Sequence, residues 1–435
     1  MNPHTRARLT HSAQRLLYGQ PTTPAAPARP AHRPRPAGLY LGQGRHGPVH
    51  AGGEHHVLVL GPPRSGKTTR LVTPNLVRHR GPAVVTSTKT DILEATITAR
   101  LQLGRCWYWD PSGTTVTPTG AEALTWSPVT DCETWDQAVT RAHALAGAAR
   151  PDPAAADTHW VERAQALLAP LLHAAALSGA DMAAVLSWLH RRELTLARSI
   201  LDDHRSARAA DILEGLAHTD SRELSGIFST ADSILAAYRS DAALNSARHP
   251  RFDPAGFAAS TDTIYLTAPA ATHALHAPLV IALLDSIRTA AYHWHPRPPM
   301  LYALDEVANI APLPDLPATL AEGGSQGLII LACLQDLSQA RSRWGKAADG
   351  FLTLFTHKLL LPGIADEATL RAVSSLAGHI DVPVRSDSTT RGKSWSSGTS
   401  WTTRRQPKLP PDRIANLPRG TALLLGGTEI RRVAL

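Results

Sequence analysis

Gly61-Pro62-Pro63-Arg64-Ser65-Gly66-Lys67-Thr68 fits the phosphate-loop pattern G-x-x-x-x-G-K-[ST] at every fixed position. His56-Val57-Leu58-Val59-Leu60 is a short apolar strand running into the loop, and residues 69–79 continue as a helix with Pro74 early in it. A strand, a glycine turn and a helix in that order turn backbone N–H groups and a helix N-terminus toward a phosphate chain. The cradle is then Gly61, Pro62, Pro63, Arg64, Ser65, Gly66, Lys67, Thr68 and Thr69. Within it Lys67 reaches the β- and γ-phosphates and the Thr68 hydroxyl coordinates Mg²⁺. The expected cofactors are ATP and Mg²⁺.

A phosphate loop needs an acidic element to hold the metal and activate water. Met300-Leu301-Tyr302-Ala303-Leu304-Asp305-Glu306 is an apolar strand ending in two carboxylates. Asp305 is the expected Mg²⁺ partner, and Glu306 is expected to polarise the attacking water. Residues 327–335 read as the next buried strand, ending in a polar Gln335 placed to sense the γ-phosphate. Lys67, Glu306 and Gln335 form the expected catalytic group. Loop, carboxylate pair and polar strand end together describe an additional-strand P-loop ATPase with a RecA-like α/β core.

Residues 84–86, 107–110, 264–266, 301–304, 328–333 and 357–361 read as short buried strands alternating with helices. That pattern predicts a mostly parallel sheet covered on both faces. Between about 131 and 247 the strand signals stop. There Trp135, Ala138, Ala142 and Leu145, then Ala164, Leu167, Leu168 and Leu171, then Leu224, Ile227, Phe228 and Ala231 recur at helical spacing. The expected organisation is a basic, proline-rich disordered tail over 1–37, a nucleotide-binding domain in two parts over 38–130 and 248–435, and an inserted all-α domain over 131–247. The Ser/Thr-rich stretch 385–406 is expected to be a flexible loop.

Arg191, Arg192, Arg198, Arg205, Arg208 and Arg239 on the insert fit either a nucleic-acid surface or a solvated face laced with salt bridges, because Asp202, Asp203, Asp211 and Glu214 are interleaved with them. Trp160 and Trp188 read as core rather than as base-stacking platforms. The 435 residues and 43% hydrophobic content suffice for packed domains and exclude a fibrous chain. A net charge of +8 suits an acidic polymer as partner. Cys106, Cys132 and Cys333 show no metal spacing and imply a reducing compartment. No segment approaches the ~20 apolar residues that span a bilayer. A cytoplasmic protein, peripheral at the inner face of the cell membrane, is expected.

Several separated stretches resemble, in order, the type IV secretion coupling proteins, the TraG/VirD-type ATPases of conjugative DNA transfer. They are residues 56–69, VVTSTKTD at 84–91, WDPSG at 109–113, residues 304–309, residues 323–335, KLLLPGIAD at 358–366, and a closing segment over 407–418. The resemblance covers roughly residues 38–435. It implies a DNA-translocating or DNA-recruiting ATPase working as a homo-oligomer, a hexameric ring, with DNA and a relaxase complex as partners and membrane-embedded secretion proteins in trans. It also implies that the insert contacts DNA or its processing complex. The alternatives are a nucleotide-gated docking adaptor that pumps no DNA and a septal-type double-strand translocase. The chain departs from the family at Gly323-Gly324-Ser325-Gln326, where relatives often place an arginine that reaches the neighbouring subunit's nucleotide. Arg341, Arg343 and Arg371 are the substitutes available nearby.

Overall fold

The computed structural model describes residues 38–148, 158–391, 395–427 and 429–435. The tail expected over 1–37 lies outside the described residues. Twelve strands form one sheet in the order β2-β1-β14-β13-β10-β3-β9-β8-β4-β7-β5-β6. In chain order they are β1 (Tyr40–Gly44), β2 (Gly47–His50), β3 (Val57–Leu60), β4 (Ala83–Ser87), β5 (Cys106–Trp109), β6 (Glu122–Ala123), β7 (Thr263–Thr267), β8 (Met300–Leu304), β9 (Leu328–Leu334) and β10 (His357–Leu360); β13 (Thr421–Gly426) and β14 (Glu429–Ala434) complete it. From β10 through β3, β9, β8, β4, β7 and β5 to β6 every pairing is parallel. Beyond β10 the four remaining strands pair antiparallel. The fold is α/β, with the parallel core that the alternating strands and helices predict.

The central strands are buried on both faces, so their sequences are continuous apolar runs: VLVL, AVVTS, MLYAL, LIILACL. Successive residues still serve opposite layers. Val57 and Val59 pack with Leu71, Leu76, Ile92 and Leu93 on one face, whereas Leu58 and Leu60 pack with Leu283, Leu284 and Ile287 on the other. The second face is covered by the helix His273–Trp294, which is apolar nearly all round. By length and hydropathy it could cross a membrane, an assignment the sequence reading did not make. Here it is mostly buried, as a helix enclosed between two layers must be.

Between β6 and β7 the chain is helical. Thr158–Ser178 is the central helix, packed against Trp135–Ala148, Met182–Arg191, Thr195–Asp203, Ala207–Ala217 and Ser221–Ile234. Asp181 caps one of these helices by accepting from the N–H groups of Ala183 and Ala184, and Asp220 caps another by accepting from Arg222. Trp188 is buried, and Trp160 packs so tightly on Gly226 that any β-carbon there would meet its ring at 2.5 Å. Trp188 belongs to the core, and Trp160 is half-buried against it.

Two features depart from the sequence reading. The helix after the phosphate loop opens with a π-turn, Thr68–Val72, before the α-helix Thr73–Arg78. Pro74 has no N–H to give to the carbonyl four residues back and its ring crowds that carbonyl, which accounts for the wider turn. The described residues of the stretch expected as a flexible loop over 385–406 lie in a two-stranded ribbon, β11 (His379–Arg391) and β12 (Trp395–Pro407), forming a sheet of its own; residues 392–394 lie outside the described residues. Arg100 was also unforeseen. Fully buried, it donates to the carbonyls of His79, Gly81 and Thr261 and to the Thr263 hydroxyl, tying the segment before β4 to that before β7.

Candidate functional site

The loop after β3 is shaped by glycine and by two left-handed residues. A β-carbon on Gly61 would stand 2.7 Å from the Ser65 hydroxyl and 2.8 Å from the Leu361 side chain, so only glycine fits there. Arg64 has φ 63° and Gly66 φ 97°, which curls the backbone around. The Ser65 Oγ is buried with no hydrogen-bond partner among the described residues. Lys67 is buried and folds back, its ammonium donating to the carbonyls of Gly61 and, at 3.0 Å, Pro62. A curled loop with a buried ammonium and an orphaned hydroxyl fits a phosphate chain. Pro63, Arg64 and Thr69 face outward.

Strand order brings the acidic element to this loop. β9 lies between β3 and β8, so the chain leaves β3 at Gly61 and β8 at Asp305 on the same edge of the sheet, one strand apart. That interposed strand is the additional strand expected from the motifs. Across it, the Thr68 hydroxyl donates to Asp305 Oδ2 at 2.7 Å. The Thr86 hydroxyl on β4 donates to the Asp305 carbonyl at 3.0 Å. Burial pushes the Asp305 carboxyl above its ordinary value, and the Thr68 hydrogen bond and the Lys67 charge oppose that rise. Cys333 on β9 lies beside Asp305, and burial together with that carboxyl raises its thiol as well.

Glu306 follows in the left-handed region, φ 54° and ψ 49°, immediately before the short helix Val307–Ile310. The Asn309 amide donates to its Oε2 at 3.4 Å. A non-glycine residue held there is strained, and such strain concentrates at functional sites. β9 ends at Leu334, whose carbonyl accepts from Gly61 N–H, so Gln335 stands beside the phosphate loop. Its backbone N–H is held by the Gln339 side chain. Thus Lys67, Thr68, Asp305, Glu306 and Gln335, spread over 269 positions of sequence (335 − 67 + 1), gather at one sheet edge.

Sequence reasoning missed how the remaining motif stretches converge on that edge. Residues 88–91 follow β4, whose last residue Ser87 accepts from Lys89 N–H through its hydroxyl. Asp110 follows β5 and closes its turn by accepting from the N–H groups of Ser112 and Thr115. Leu361 and Gly363 follow β10 and touch Gly61 and Pro62. All of these lie at the carboxyl ends of parallel strands, where open α/β sheets bind ligands. Arg70 was missed too. It packs over Gly66 and donates to the Leu435 carbonyl at 2.7 Å, a pairing across 365 positions that leaves no local signal. A 440 Å³ cavity lined by Asp131, Arg141 and Asp285 shares no residue with the loop.

The arginines resolve differently. Arg341 pairs with Asp349 and Asp366, Arg371 with Glu367, and Arg343 donates to the Ala308 carbonyl. In the insert, Arg198 pairs with Asp202 and Glu214, Arg239 with Asp232, and Arg192 donates to the Ser225 hydroxyl. Half of the six arginines singled out from the sequence are therefore engaged within the chain.

Residues 27–429 match the profile of a family described as type IV secretory system conjugative DNA transfer. Among solved structures, the unbound monoclinic form of the bacterial conjugative coupling protein TrwBΔN70 superposes with a TM-score of 0.69 at 19% identity, over 93% of this chain and 89% of that one. The plasmid coupling protein TrwB in complex with ADP and Mg²⁺ gives 0.67 at 20% identity, over 88% and 85%. VirB4 of Thermoanaerobacter pseudethanolicus gives 0.52 at 12% identity, over 92% and 96%. At these identities the superpositions speak for the fold. No curated protein sequence matches the chain.

Proposed function

Since the chain belongs to the type IV secretory system conjugative DNA transfer family, we propose that it is an ATP-hydrolysing coupling protein that recruits or translocates DNA. The observation that carries this reading is the 2.7 Å bond from Thr68 to Asp305, which joins the phosphate loop to the acidic strand end across β9. The solved relatives of the same fold include TrwB with ADP and Mg²⁺ and TrwB with a non-hydrolysable ATP analogue.

In this reading Thr68 and Asp305 hold Mg²⁺, and the loop from Gly61 to Thr69 holds the phosphates. Bound there, the metal would supply charge neutralisation to the phosphates. Lys67, already buried at the loop, exchanges its contacts with the Gly61 and Pro62 carbonyls for phosphate oxygens. Glu306 takes a proton from the attacking water, with Asn309 orienting its carboxylate. Gln335, at the loop's flank, reports the state of the γ-phosphate to β9. Assembly as a hexameric ring, a relaxase complex on the DNA, and membrane-embedded secretion proteins in trans complete the proposal, which places the chain in the cytoplasm at the inner face of the membrane.

A second reading, a nucleotide-gated docking adaptor without DNA pumping, draws on one observation. Arg341, Arg343 and Arg371 each have a partner within their own chain, so using any of them in a neighbour's site would mean exchanging that contact. The ATPase rate of the purified chain with and without single- and double-stranded DNA separates the two. DNA-stimulated turnover supports the motor; nucleotide binding with negligible turnover at every DNA concentration supports the adaptor.

A further inference from the structure

We propose that the ribbon of β11 and β12 is the surface on which this protein grips single-stranded DNA, with Trp401 stacking on bases and Arg404 and Arg405 contacting phosphates. The proposal rests on the DNA-handling function above and names the contact surface for it. The ribbon is long and regular: its strands have 13 residues each, and their pairing runs without a break in register from His379↔Pro407 to Arg391↔Trp395. It adds no strand to the main sheet. The helix Glu367–Ala377 packs against β12, and most of the ribbon's described side chains are exposed.

Trp107, Trp109, Trp126, Trp188 and Trp344 are all 8% exposed or less, whereas two tryptophans stand out in solvent, Trp294 at the end of the covering helix at 59% and Trp401 on the ribbon at 66%. Of these two, Trp401 stands on an extended ribbon with arginines three and four positions on. An aromatic ring left outside a core is a platform, and base stacking on such platforms is how single strands are held without sequence preference. A duplex keeps its base faces stacked on one another, so the same ring would find only edges and backbone. Register and alternation place Arg405 on the same face as Trp401, opposite Asp381, and place Arg404 on the other face, opposite Val382.

Charge selects the partner. The two strands carry Arg385, Arg391, Arg404 and Arg405 against Asp381 and Asp387, a net charge of 4 − 2 = +2. Arg404 and Arg405 are exposed and, among the described residues, stand in no ion pair, in contrast to Arg198 and Arg239 of the insert, whose charges are met by neighbouring acids. In sequence, residues 386–391 (SDSTTR) and 395–403 (WSSGTSWTT) are rich in Ser and Thr and hold no aliphatic residue; the ribbon's exposed aliphatics, Ile380 and Val384, lie toward its base and on the face opposite Trp401. Hydroxyls and arginines contact phosphates.

The test uses the full chain, with fluorescence anisotropy of labelled oligothymidine and of a duplex of equal length, and with ATP affinity measured on the same samples. Trp401→Ala is expected to weaken single-strand binding about 10-fold, with Trp401→Phe retaining most of it, and to change duplex binding little. Replacing Arg404 and Arg405 together by Ala is expected to flatten the slope of log affinity against log salt by about 1.4. ATP affinity stays unchanged throughout. Unaltered single-strand affinity in both variants overturns the assignment, as does a larger loss for duplex than for single strand. Loss of self-association with unaltered DNA affinity overturns it in favour of a contact between copies of the chain. Failure of the unmodified chain to bind either oligonucleotide overturns it together with the DNA-handling function.

Discussion

Asp305 sets the chemistry of the site through two opposing forces at one carboxylate. Burial raises its pKa, while the Thr68 hydroxyl and the Lys67 charge lower it, with a net rise above 3.8. In the empty protein this rise means that stability gained from the protonated carboxyl is fully present below 3.8 and lost as pH climbs through the raised value. Metal binding runs the other way, because Mg²⁺ needs the carboxylate. Mg²⁺-dependent nucleotide affinity should therefore decline on acidification at a higher pH than a solvent-exposed aspartate would give. Thr68→Ala removes the bond at 2.7 Å that holds the pKa down, so its decline should begin at a still higher pH. Titrations of a fluorescent ATP analogue at fixed Mg²⁺ check this; a midpoint unmoved in Thr68→Ala contradicts it. The same residues divide binding from turnover. Lys67→Ala should weaken nucleotide binding, whereas Glu306→Gln should keep ATP bound and lose at least about 10²-fold in turnover. Full hydrolysis in either variant removes that residue from its assigned role.

Elements differ in how openly the sequence announces them, for a physical reason. β3, β4, β8 and β9 are buried on both faces, so LIILACL or VLVL can hardly be anything else, and the polar residues at their ends mark the sheet edge where the site forms. The ribbon of β11 and β12 carries no such signature. Ile380, Val382 and Val384 alternate at the start of β11, but from Arg385 on a run of Ser, Thr and Arg without an apolar face reads as loop, and the register there comes from backbone pairing. Arg100 and the Arg70–Leu435 contact are silent for another reason: their partners are assembled by topology, not by spacing. A buried histidine at the entry to β3 gives the element-scale prediction. His56 accepts the Ile330 N–H at 3.0 Å, and burial, aided by the neighbouring His55, lowers it from 6.5 to about 4. His79 is lowered to about 4 as well, by burial and then by the Arg100 charge. A depressed folded pKa contributes stability that is complete above 6.5 and is lost as pH falls toward 4. The melting temperature should drop across that window, and less steeply in His56→Gln, which keeps an acceptor but cannot titrate. Parallel pH curves for the two proteins would remove His56 from the explanation.

At the scale of the whole molecule, the question is whether the helical region between β6 and β7 is a hinged module or part of one body. One apolar cluster answers it. It runs from Leu58, Leu60 and Ile264 in the sheet, through Leu283, Leu284 and Ile287 of the covering helix, to Leu145, Leu168, Leu189 and Phe228 in the helical region. The helix Trp135–Ala148 lies directly on His273–Trp294, and Gly147 comes so close to Pro314 that a β-carbon there would meet its ring at 3.2 Å. Inter-domain contacts that permit hinging are smaller and more polar than a shared core. A continuous core transmits strain and unfolds cooperatively. Calorimetry of the chain should accordingly give one unfolding transition for sheet and helical region together. Replacing residues 131–247 by a short linker should strip the apolar cover from His273–Trp294, lower the melting temperature and promote aggregation, even though the phosphate loop itself is untouched. Two separated transitions in the intact chain, or an excised variant that melts where the intact chain does, would show that the cluster is divided energetically and that the helical region moves as its own unit.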